Sequence, residues 1–258
     1  MLASMSRAST PMDLADNTIL ITGGATGIGL ALAERFLRAG SEVIICGRRE
    51  DKLREVSAKY SRIHTRRCDI AKEADREALA EGLVRDFPRL NVLVNNAGIQ
   101  RRAKFLADQL PWSERREEIA INLEAPLHLA ALFLPHLRQQ PRAAVVNVSS
   151  GLAFVPPVFA PLYGATKAAL HSFSMSLRQE LSRTAIQVIE IIPPPVDTDL
   201  GGARLHTHGV PVDEFADSVM KRIAEGETEV GYGASETSRL ASREELDEIF
   251  RRMSQSFD

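Results

Sequence analysis

The sequence is poor in the features that mark three large classes of protein. It has only two cysteines, Cys46 and Cys68, which excludes a disulfide framework and favours a reducing compartment. The 32 Lys and Arg residues nearly balance the 34 Asp and Glu residues, so the composition offers no basic surface for nucleic acid. No apolar run reaches the ~18–20 residues of a membrane span. We therefore expect a globular cytoplasmic protein with neither a nucleic-acid partner nor a membrane span.

The chain of 258 residues contains no linker-like stretch and no internal repeat. Residues 1–16 lack the long apolar core of a signal peptide, and we expect them to form a flexible N-terminal segment. From residue 17 onward, short apolar runs alternate with helix-length amphipathic runs. This alternation predicts an α/β fold over 17–241, a single doubly wound (Rossmann) parallel sheet with helices on both faces. Residues 242–258 predict an amphipathic C-terminal helix.

The individual elements can be placed from the same pattern. The strands are nearly unbroken runs rich in Val and Ile, which is typical of strands buried on both faces. The predicted strands are 17–23, 41–47, 62–70, 90–98, 143–150, 186–193 and 228–233. The predicted helices are 27–40, 49–60, 71–87, 113–138, 161–183 and 213–226.

A glycine-rich turn joins the first predicted strand to the first predicted helix. The segment TGGATGIG (22–29) has glycines at 23, 27 and 29. Glycines permit a tight turn and let a pyrophosphate approach the backbone, while the following helix offers unpaired N–H groups and a positive dipole end. Between the first strand and first helix of a doubly wound sheet, this turn predicts a dinucleotide site.

The end of the second predicted strand distinguishes the two nicotinamide dinucleotides. Domains that bind NAD usually place Asp or Glu there, to accept from the ribose 2′-hydroxyl. The segment ICGRRE (45–50) has Gly47 and Arg48 instead. Since an arginine can pair with a 2′-phosphate through a charge-assisted fork, we predict NADP(H), with NAD(H) as the alternative. We expect the next residue, Arg49, to be solvated in the first turn of a helix.

Tyr163 and Lys167 stand four residues apart, on one face of the helix predicted for 161–183. A tyrosine pKa is ordinarily near ~10, and a neighbouring ammonium favours the phenolate. We therefore expect Lys167, helped by an oxidised nicotinamide, to lower the pKa of Tyr163 toward neutrality. Such a tyrosine could exchange a proton with a substrate.

Six motifs in the order of the chain resemble those of the short-chain dehydrogenase/reductase family, over nearly its whole length. They are T-G-x-x-x-G-x-G at 22–29, Asp69 after the third strand, N-N-A-G at 95–98, Asn122, Ser150 thirteen residues before Tyr163, and Y-x-x-x-K at 163–167. One departure is Pro194, which stands where the family usually has glycine. Proline fixes φ and removes an N–H, so we expect a stiffer turn there.

The resemblance implies an oxidoreductase that moves a hydride between NADP(H) and a carbonyl or secondary alcohol. Tyr163 would exchange the proton, Ser150 would hydrogen-bond the substrate oxygen, and Lys167 would hold the nicotinamide ribose. The implied catalytic residues are Asn122, Ser150, Tyr163 and Lys167, with Asn122 supporting a water that leads to Lys167. The residues implied to bind the dinucleotide are Gly23, Thr26, Gly27, Ile28, Gly29, Arg48, Asp69, Ile70, Asn96, Tyr163, Lys167, Val196 and Thr198.

The resemblance also implies a homodimer or homotetramer, assembled through the helices at 113–138 and 161–183. The stretches SSGLAFVP and YGATKAALHS are similar to bacterial family members labelled as teichoic-acid-linked (D-alanine) oxidoreductases, a label that indicates no particular substrate. The apolar stretch 151–161 is expected to wall the substrate pocket, and a loop at about 199–226 to cover it.

Two alternatives to this interpretation remain at the level of sequence. The histidines of HTH (206–208) suggest a metal site, but no cysteine or further histidine lies nearby, so no metal is predicted. A nucleotide-binding scaffold or sensor with little turnover would keep the same glycine turn. The complete set of four implied catalytic residues favours the enzyme.

Overall fold

Seven parallel strands form one sheet in the computed structural model, which describes residues 11–255. The strands are β1 (Thr18–Thr22), β2 (Glu42–Gly47), β3 (Ile63–Arg67), β4 (Leu90–Asn95), β5 (Ala143–Val148), β6 (Ile186–Ile192) and β7 (Glu229–Gly231). Their order across the sheet is β3-β2-β1-β4-β5-β6-β7, and all neighbours run parallel. The predicted doubly wound sheet is therefore confirmed.

Helices cover both faces of the sheet. The helices are α1 (Gly27–Arg38), α2 (Glu50–Lys59), α3 (Glu73–Asp86), α4 (Trp112–Ile119), α5 (Ala125–Leu137), α6 (Pro161–Glu180), α7 (Val212–Ala224), α8 (Ala234–Leu240) and α9 (Arg243–Gln255). Successive residues of β1 point to opposite faces, so Ile19 and Ile21 pack with α1, α2 and α7. Leu20 packs on the other face with α3, α5 and α6.

The burial of each strand follows its place in the sheet. Every residue of β1, β4 and β5 is buried, as the apolar runs predict. In β3 only Ile63 is buried, because β3 is an edge strand and its IHTRR sequence turns polar side chains to solvent. The prediction of burial on both faces is wrong for β3, which also ends at Arg67 rather than residue 70.

The long helix predicted for 113–138 contains an irregularity at its centre. α4 runs into α5 through one π-helical turn, Ala120–Glu124, with Pro126 in the first turn of α5. A π-turn inserts one residue into the helical repeat and often marks a functional site. Here it carries Asn122. The short helix α8 was not predicted, because its sequence ASETSRL has no apolar periodicity.

The N-terminal end of the described chain lies against the domain. Residues 11–16 belong to the predicted flexible segment, yet the Met12 side chain is buried and Asp13 pairs with Arg142 at 2.8 Å. The predicted C-terminal helix is α9, and positions 1–10 and 256–258 of the two terminal predictions lie outside the described residues. No helix among the described residues is long and apolar enough to cross a membrane.

Candidate active site

A cleft of about 1560 Å³ opens at the carboxyl ends of the central strands. The segments that follow β1, β2, β4, β5 and β6 all contribute to its wall. The chain reverses its direction of winding between β1 and β4, and open α/β sheets bind ligands at such a point. The fold therefore places the cleft where a dinucleotide site is expected.

The glycine turn forms one end of this cleft, and its backbone requires glycine. Gly23 and Gly27 have φ values of 64° and 54°, which L side chains rarely adopt. A Cβ at Gly29 would lie 2.4 Å from Asn96 Nδ2 and 2.5 Å from the Gly23 carbonyl oxygen. Asn96 in turn donates from Nδ2 to the Thr22 carbonyl oxygen at 2.9 Å. The turn is thus fixed in a shape that leaves backbone facing the cleft, as a pyrophosphate requires.

Two arginines stand beside the turn. The Arg48 guanidinium pairs with Glu117 Oε1 at 2.8 Å, and Arg49 Nη2 donates to Thr26 Oγ1 at 2.9 Å. Both arginines line the cleft. Arg49 is exposed at the start of α2, as expected, and its side chain also reaches back over the glycine turn. The contact with Thr26 could not be predicted from the sequence, because it depends on the path of the chain between β2 and α2.

The other predicted cofactor residues divide into two groups. Ile28, Ile70, Val196 and Thr198 line the cleft, and Thr198 Cγ2 would lie 3.3 Å from a Cβ at Gly27. Asp69 does not line it. The Asp69 carboxylate accepts from the Ala71 amide at 3.2 Å, so its contact with an adenine ring stays a prediction.

Ser150, Tyr163 and Lys167 meet on one wall of the cleft. Ser150 follows β5, and its hydroxyl oxygen accepts from the Leu152 amide at 3.1 Å. The Ser150 side chain is also near enough to Tyr163 to lower the pKa of the phenol. Tyr163 lies in the first turn of α6. Lys167 Nζ is 5.6 Å from the centre of the Tyr163 ring and donates to the Val148 carbonyl oxygen at 2.8 Å. All three residues line the cleft.

Asn122 lies behind this wall rather than in it. Its Oδ1 accepts from the Ile99 amide at 2.9 Å, and its Nδ2 donates to the Ile99 carbonyl oxygen at 2.8 Å. A Cβ built on Gly98 would be 3.3 Å from Asn122 Oδ1 and 3.7 Å from Lys167 Nζ. Asn122 and Lys167 therefore flank the same small space beside Gly98, and Asn122 fixes the segment after β4.

The ionisation of Tyr163 and Lys167 is dominated by burial. Burial raises the pKa of Tyr163 to about 12. The Ser150 side chain lowers this pKa and the charge of Glu118 raises it, and both effects are smaller than that of burial. Burial lowers the pKa of Lys167 to about 8, opposed by Glu190. In the protein without a nicotinamide, the loss of solvation outweighs the charge of Lys167. Tyr163 is then a phenol throughout the neutral range. The lowering of the Tyr163 pKa expected with an oxidised nicotinamide stays a prediction.

Several residues at the cleft were not predicted from the sequence. Gln100 is buried and lines the cleft, and Glu118 is buried near Tyr163. Two side chains of α9, Ile249 and Met253, also reach the cleft. Their spacing of four residues on an amphipathic helix was the available signal, but it could not show what the helix packs against.

The stretches expected to surround the substrate do line the cleft. The apolar stretch 151–161 contributes Leu152, Val155 and Phe159 to the lining of the cleft. The loop after β6 contributes Leu205, His206 and His208. That loop ends at Pro211, where α7 begins, so the predicted loop of 199–226 is half helix. Among the described residues, one group could share a cation: Glu73, Glu77 and His128, which do not line the cleft.

Comparison with known proteins agrees with this geometry. The family model for short chain dehydrogenase matches residues 17–208. An uncharacterized oxidoreductase, DltE of Bacillus subtilis (strain 168), is 46% identical over 94% of this chain and 98% of its own length. Serine 3-dehydrogenase of Rhizobium radiobacter is 37% identical over 70% of this chain and 73% of its own length.

A solved structure is similar in fold. The short chain dehydrogenase from Burkholderia cenocepacia J2315, crystallised in complex with NADP, superposes with a TM-score of 0.81. It is 26% identical, and the match covers 93% of this chain and 99% of that one.

Proposed function

The chain belongs to the short-chain dehydrogenase family and is an oxidoreductase, and from this premise we propose that it transfers a hydride between NADP(H) and a carbonyl or secondary alcohol substrate. One observation carries the proposal. Tyr163 lies one helical turn from Lys167, and both line the same cleft as Ser150 and the glycine turn. A proton donor and a dinucleotide cradle in one cleft are what carbonyl reduction needs.

The dinucleotide would lie along the glycine turn and extend toward Lys167. Gly23, Thr26, Gly27 and Gly29 would hold its pyrophosphate at the start of α1, and their tight backbone contacts support this fit. The preference for NADP(H) is supported by the Arg48 and Arg49 guanidinium groups, which lie at the end of β2. A relative of similar fold was crystallised with NADP. The bound reduced cofactor supplies the hydride.

The proton comes from the chain itself. The Tyr163 hydroxyl donates its proton to the substrate oxygen, and the Ser150 hydroxyl hydrogen-bonds the same oxygen to stabilise its developing negative charge. Since the pKa of Tyr163 is raised to about 12, the phenol is protonated and ready for reduction at neutral pH. Oxidation of an alcohol needs the phenolate, so it is expected to speed up as the pH rises.

Lys167 and Asn122 would restore the proton. Lys167 can lose one near neutral pH because burial lowers its pKa to about 8, and its ammonium is anchored on the Val148 carbonyl oxygen. Asn122 lies on the other side of the space beside Gly98. A water held there would connect Lys167 to solvent.

The proposal also includes an oligomeric state, a cellular location and a first set of substrates. Trp112 of α4 and Met175 of α6 are 61% and 51% exposed, and they support a homodimer or homotetramer built on these helices. The free cysteines Cys46 and Cys68 support a cytoplasmic location. The serine dehydrogenase relative suggests that small polar alcohols belong in the first substrate screen.

The test is reduction of a panel of ketones and aldehydes with NADPH and with NADH, followed by absorbance at the nicotinamide band. We expect turnover with NADPH to exceed turnover with NADH at least tenfold, and Arg48→Ala together with Arg49→Ala to remove that preference. Tight binding of NADPH without turnover across the panel would identify a nucleotide-binding protein instead.

A further inference from the structure

Three residues that line the cleft have a buried polar atom without a hydrogen-bond partner. Among the described residues, three of the five such side-chain atoms are Gln100 Oε1, Arg101 Nη1 and His206 Nε2. Buried polar groups are nearly always hydrogen-bonded, so these exceptions call for an explanation. All three residues line the cleft that also contains Ser150 and Tyr163.

The three atoms come from two segments that pack against each other. Gln100 follows the strand β4, and the position of a Cβ on Gly201 lies 3.4 Å from Gln100 Oε1. Gly201 and His206 belong to the loop after β6. The substrate loop thus packs on the segment 98–102 at Gly201 and Gln100, and the three residues with unpartnered atoms all belong to these two segments.

The region carries charges of both signs, because Asp197 and Asp199 line the cleft together with Arg101 and Arg102. The Arg102 guanidinium lies 5.1 Å from the centre of the Phe159 ring, and no carboxylate of the described residues pairs with it. Arg101 is held by Glu117 and Glu114, but its Nη1 makes no hydrogen bond. Glu118 accepts from the Arg101 amide, and burial raises the pKa of the Glu118 carboxyl, which favours its neutral form.

His206 belongs to the loop after β6, and its ring nitrogen Nε2 is buried without a hydrogen-bond partner. Burial and the nearby Arg102 lower the pKa of His206, while Asp197 opposes them. A neutral imidazole beside a guanidinium would gain a proton, and a second charged donor, when an anion binds between them.

We propose that the cleft selects carbonyl and alcohol substrates that carry a carboxylate, which Arg102 and His206 bind. A carboxylate suits the site because Arg102 is the one unpaired guanidinium of the described segments 98–102 and 201–208 that lines the cleft. This inference rests on the proposed hydride transfer and adds the substrate class, oxo acids and hydroxy acids.

The experiment compares matched acids and esters. The rates of reduction of 3-oxobutanoate, 4-oxopentanoate and 5-oxohexanoate are measured with NADPH against those of their methyl esters. The series varies the distance between carbonyl and carboxylate and leaves the reacting group unchanged. We expect at least one acid to exceed its ester tenfold in kcat/KM, mainly through KM, and this ratio to grow as the pH falls from 8 to 6.

Three variants test whether Arg102 and His206 produce the preference for acids over esters. Arg102→Gln is expected to reduce the acid-to-ester ratio below about twofold, and His206→Asn to remove its dependence on pH. Arg204→Gln makes the same charge change in the same loop at an exposed residue that does not line the cleft, and it should keep the ratio. Equal rates for every acid and its ester, or a preference that survives Arg102→Gln, would overturn the inference while hydride transfer stands.

A binding measurement separates the two proposals if no carbonyl is reduced. The melting temperature of the wild-type protein with NADPH is recorded with 4-oxopentanoate and with its methyl ester. Stabilisation by the acid alone, lost in Arg102→Gln, supports the carboxylate site even without turnover. No difference between acid and ester across the series contradicts it.

Discussion

Lys167 Nζ donates a 2.8 Å hydrogen bond to the carbonyl oxygen of Val148, the last residue of β5. This bond ties the side chain of α6 to the strand that leads into Ser150. It also holds an ammonium where almost no solvent reaches, and burial lowers the pKa of Lys167 to about 8. The protein therefore keeps a charge at this site against the tendency of burial to remove it.

Replacing the lysine separates stability from activity. A fall in pKa from 10.5 to about 8 corresponds to about 3 kcal/mol of destabilisation of the folded state at neutral pH, at ~1.36 kcal/mol per pKa unit. Lys167→Met removes this destabilisation and the bond to Val148, whose loss costs about 1–2 kcal/mol. We expect the variant to be inactive and about 1–2 kcal/mol more stable in urea unfolding at pH 7. A less stable variant contradicts the account.

The same lysine predicts a dependence of stability on pH. Between pH 8 and 10.5 the folded protein loses the Lys167 proton while the unfolded chain keeps it, so the unfolded state binds more protons. The stability of the wild-type protein relative to Lys167→Met should therefore increase with pH in that window. The difference in unfolding free energy between the two proteins, measured at pH 7 and pH 9.5, checks the sign.

A methyl group at Gly29 should weaken cofactor binding. It would lie 2.4 Å from Asn96 Nδ2 and 2.5 Å from the Gly23 carbonyl oxygen, so the turn must open to admit it. We expect Gly29→Ala to raise the Kd for NADPH at least tenfold in fluorescence titration. The matched control is Gly82→Ala within α3, where the nearest atom to the new Cβ is 3.9 Å away. The control should bind NADPH normally and gain about 0.5–1 kcal/mol in stability.

Asn122 is expected to act on structure through the segment after β4. Asn122→Asp keeps an acceptor for the Ile99 amide but loses the donor to the Ile99 carbonyl oxygen, and it buries a carboxyl group. The variant should lose about 2–4 kcal/mol of unfolding free energy. The exposed amide of Gln139 gives the control, since Gln139→Glu should change stability by less than about 0.5 kcal/mol. An equal loss of unfolding free energy in Asn122→Asp and Gln139→Glu would contradict this structural role of Asn122.

The sequence was sufficient for those parts of the site that depend on local spacing. The glycine turn follows from its position between a strand and a helix, and Tyr163 and Lys167 share a face because they stand four residues apart. Ser150 joins them because β5 and α6 are consecutive elements. The doubly wound sheet follows from the alternation of apolar runs in the same way.

Other features depend on contacts that are distant in sequence and could not be predicted. The pKa of Tyr163 is set by burial and by Glu118, which lies on α4 forty-five residues away. The contact between Arg49 and Thr26 depends on the path of the chain after β2. The approach of Met253 to the cleft depends on where α9 packs. Desolvation and packing of this kind leave no periodic pattern in a sequence.

Tyr163→Phe tests the central claim most directly, because it removes the hydroxyl group and leaves the ring. The measurement is the single-turnover rate of NADPH oxidation with a reducible carbonyl, together with the Kd for NADPH in the same variant. We expect the rate to fall by about 10²–10⁴-fold with the Kd changed less than about threefold. An undiminished rate in Tyr163→Phe would contradict the assignment of Tyr163 as the proton donor.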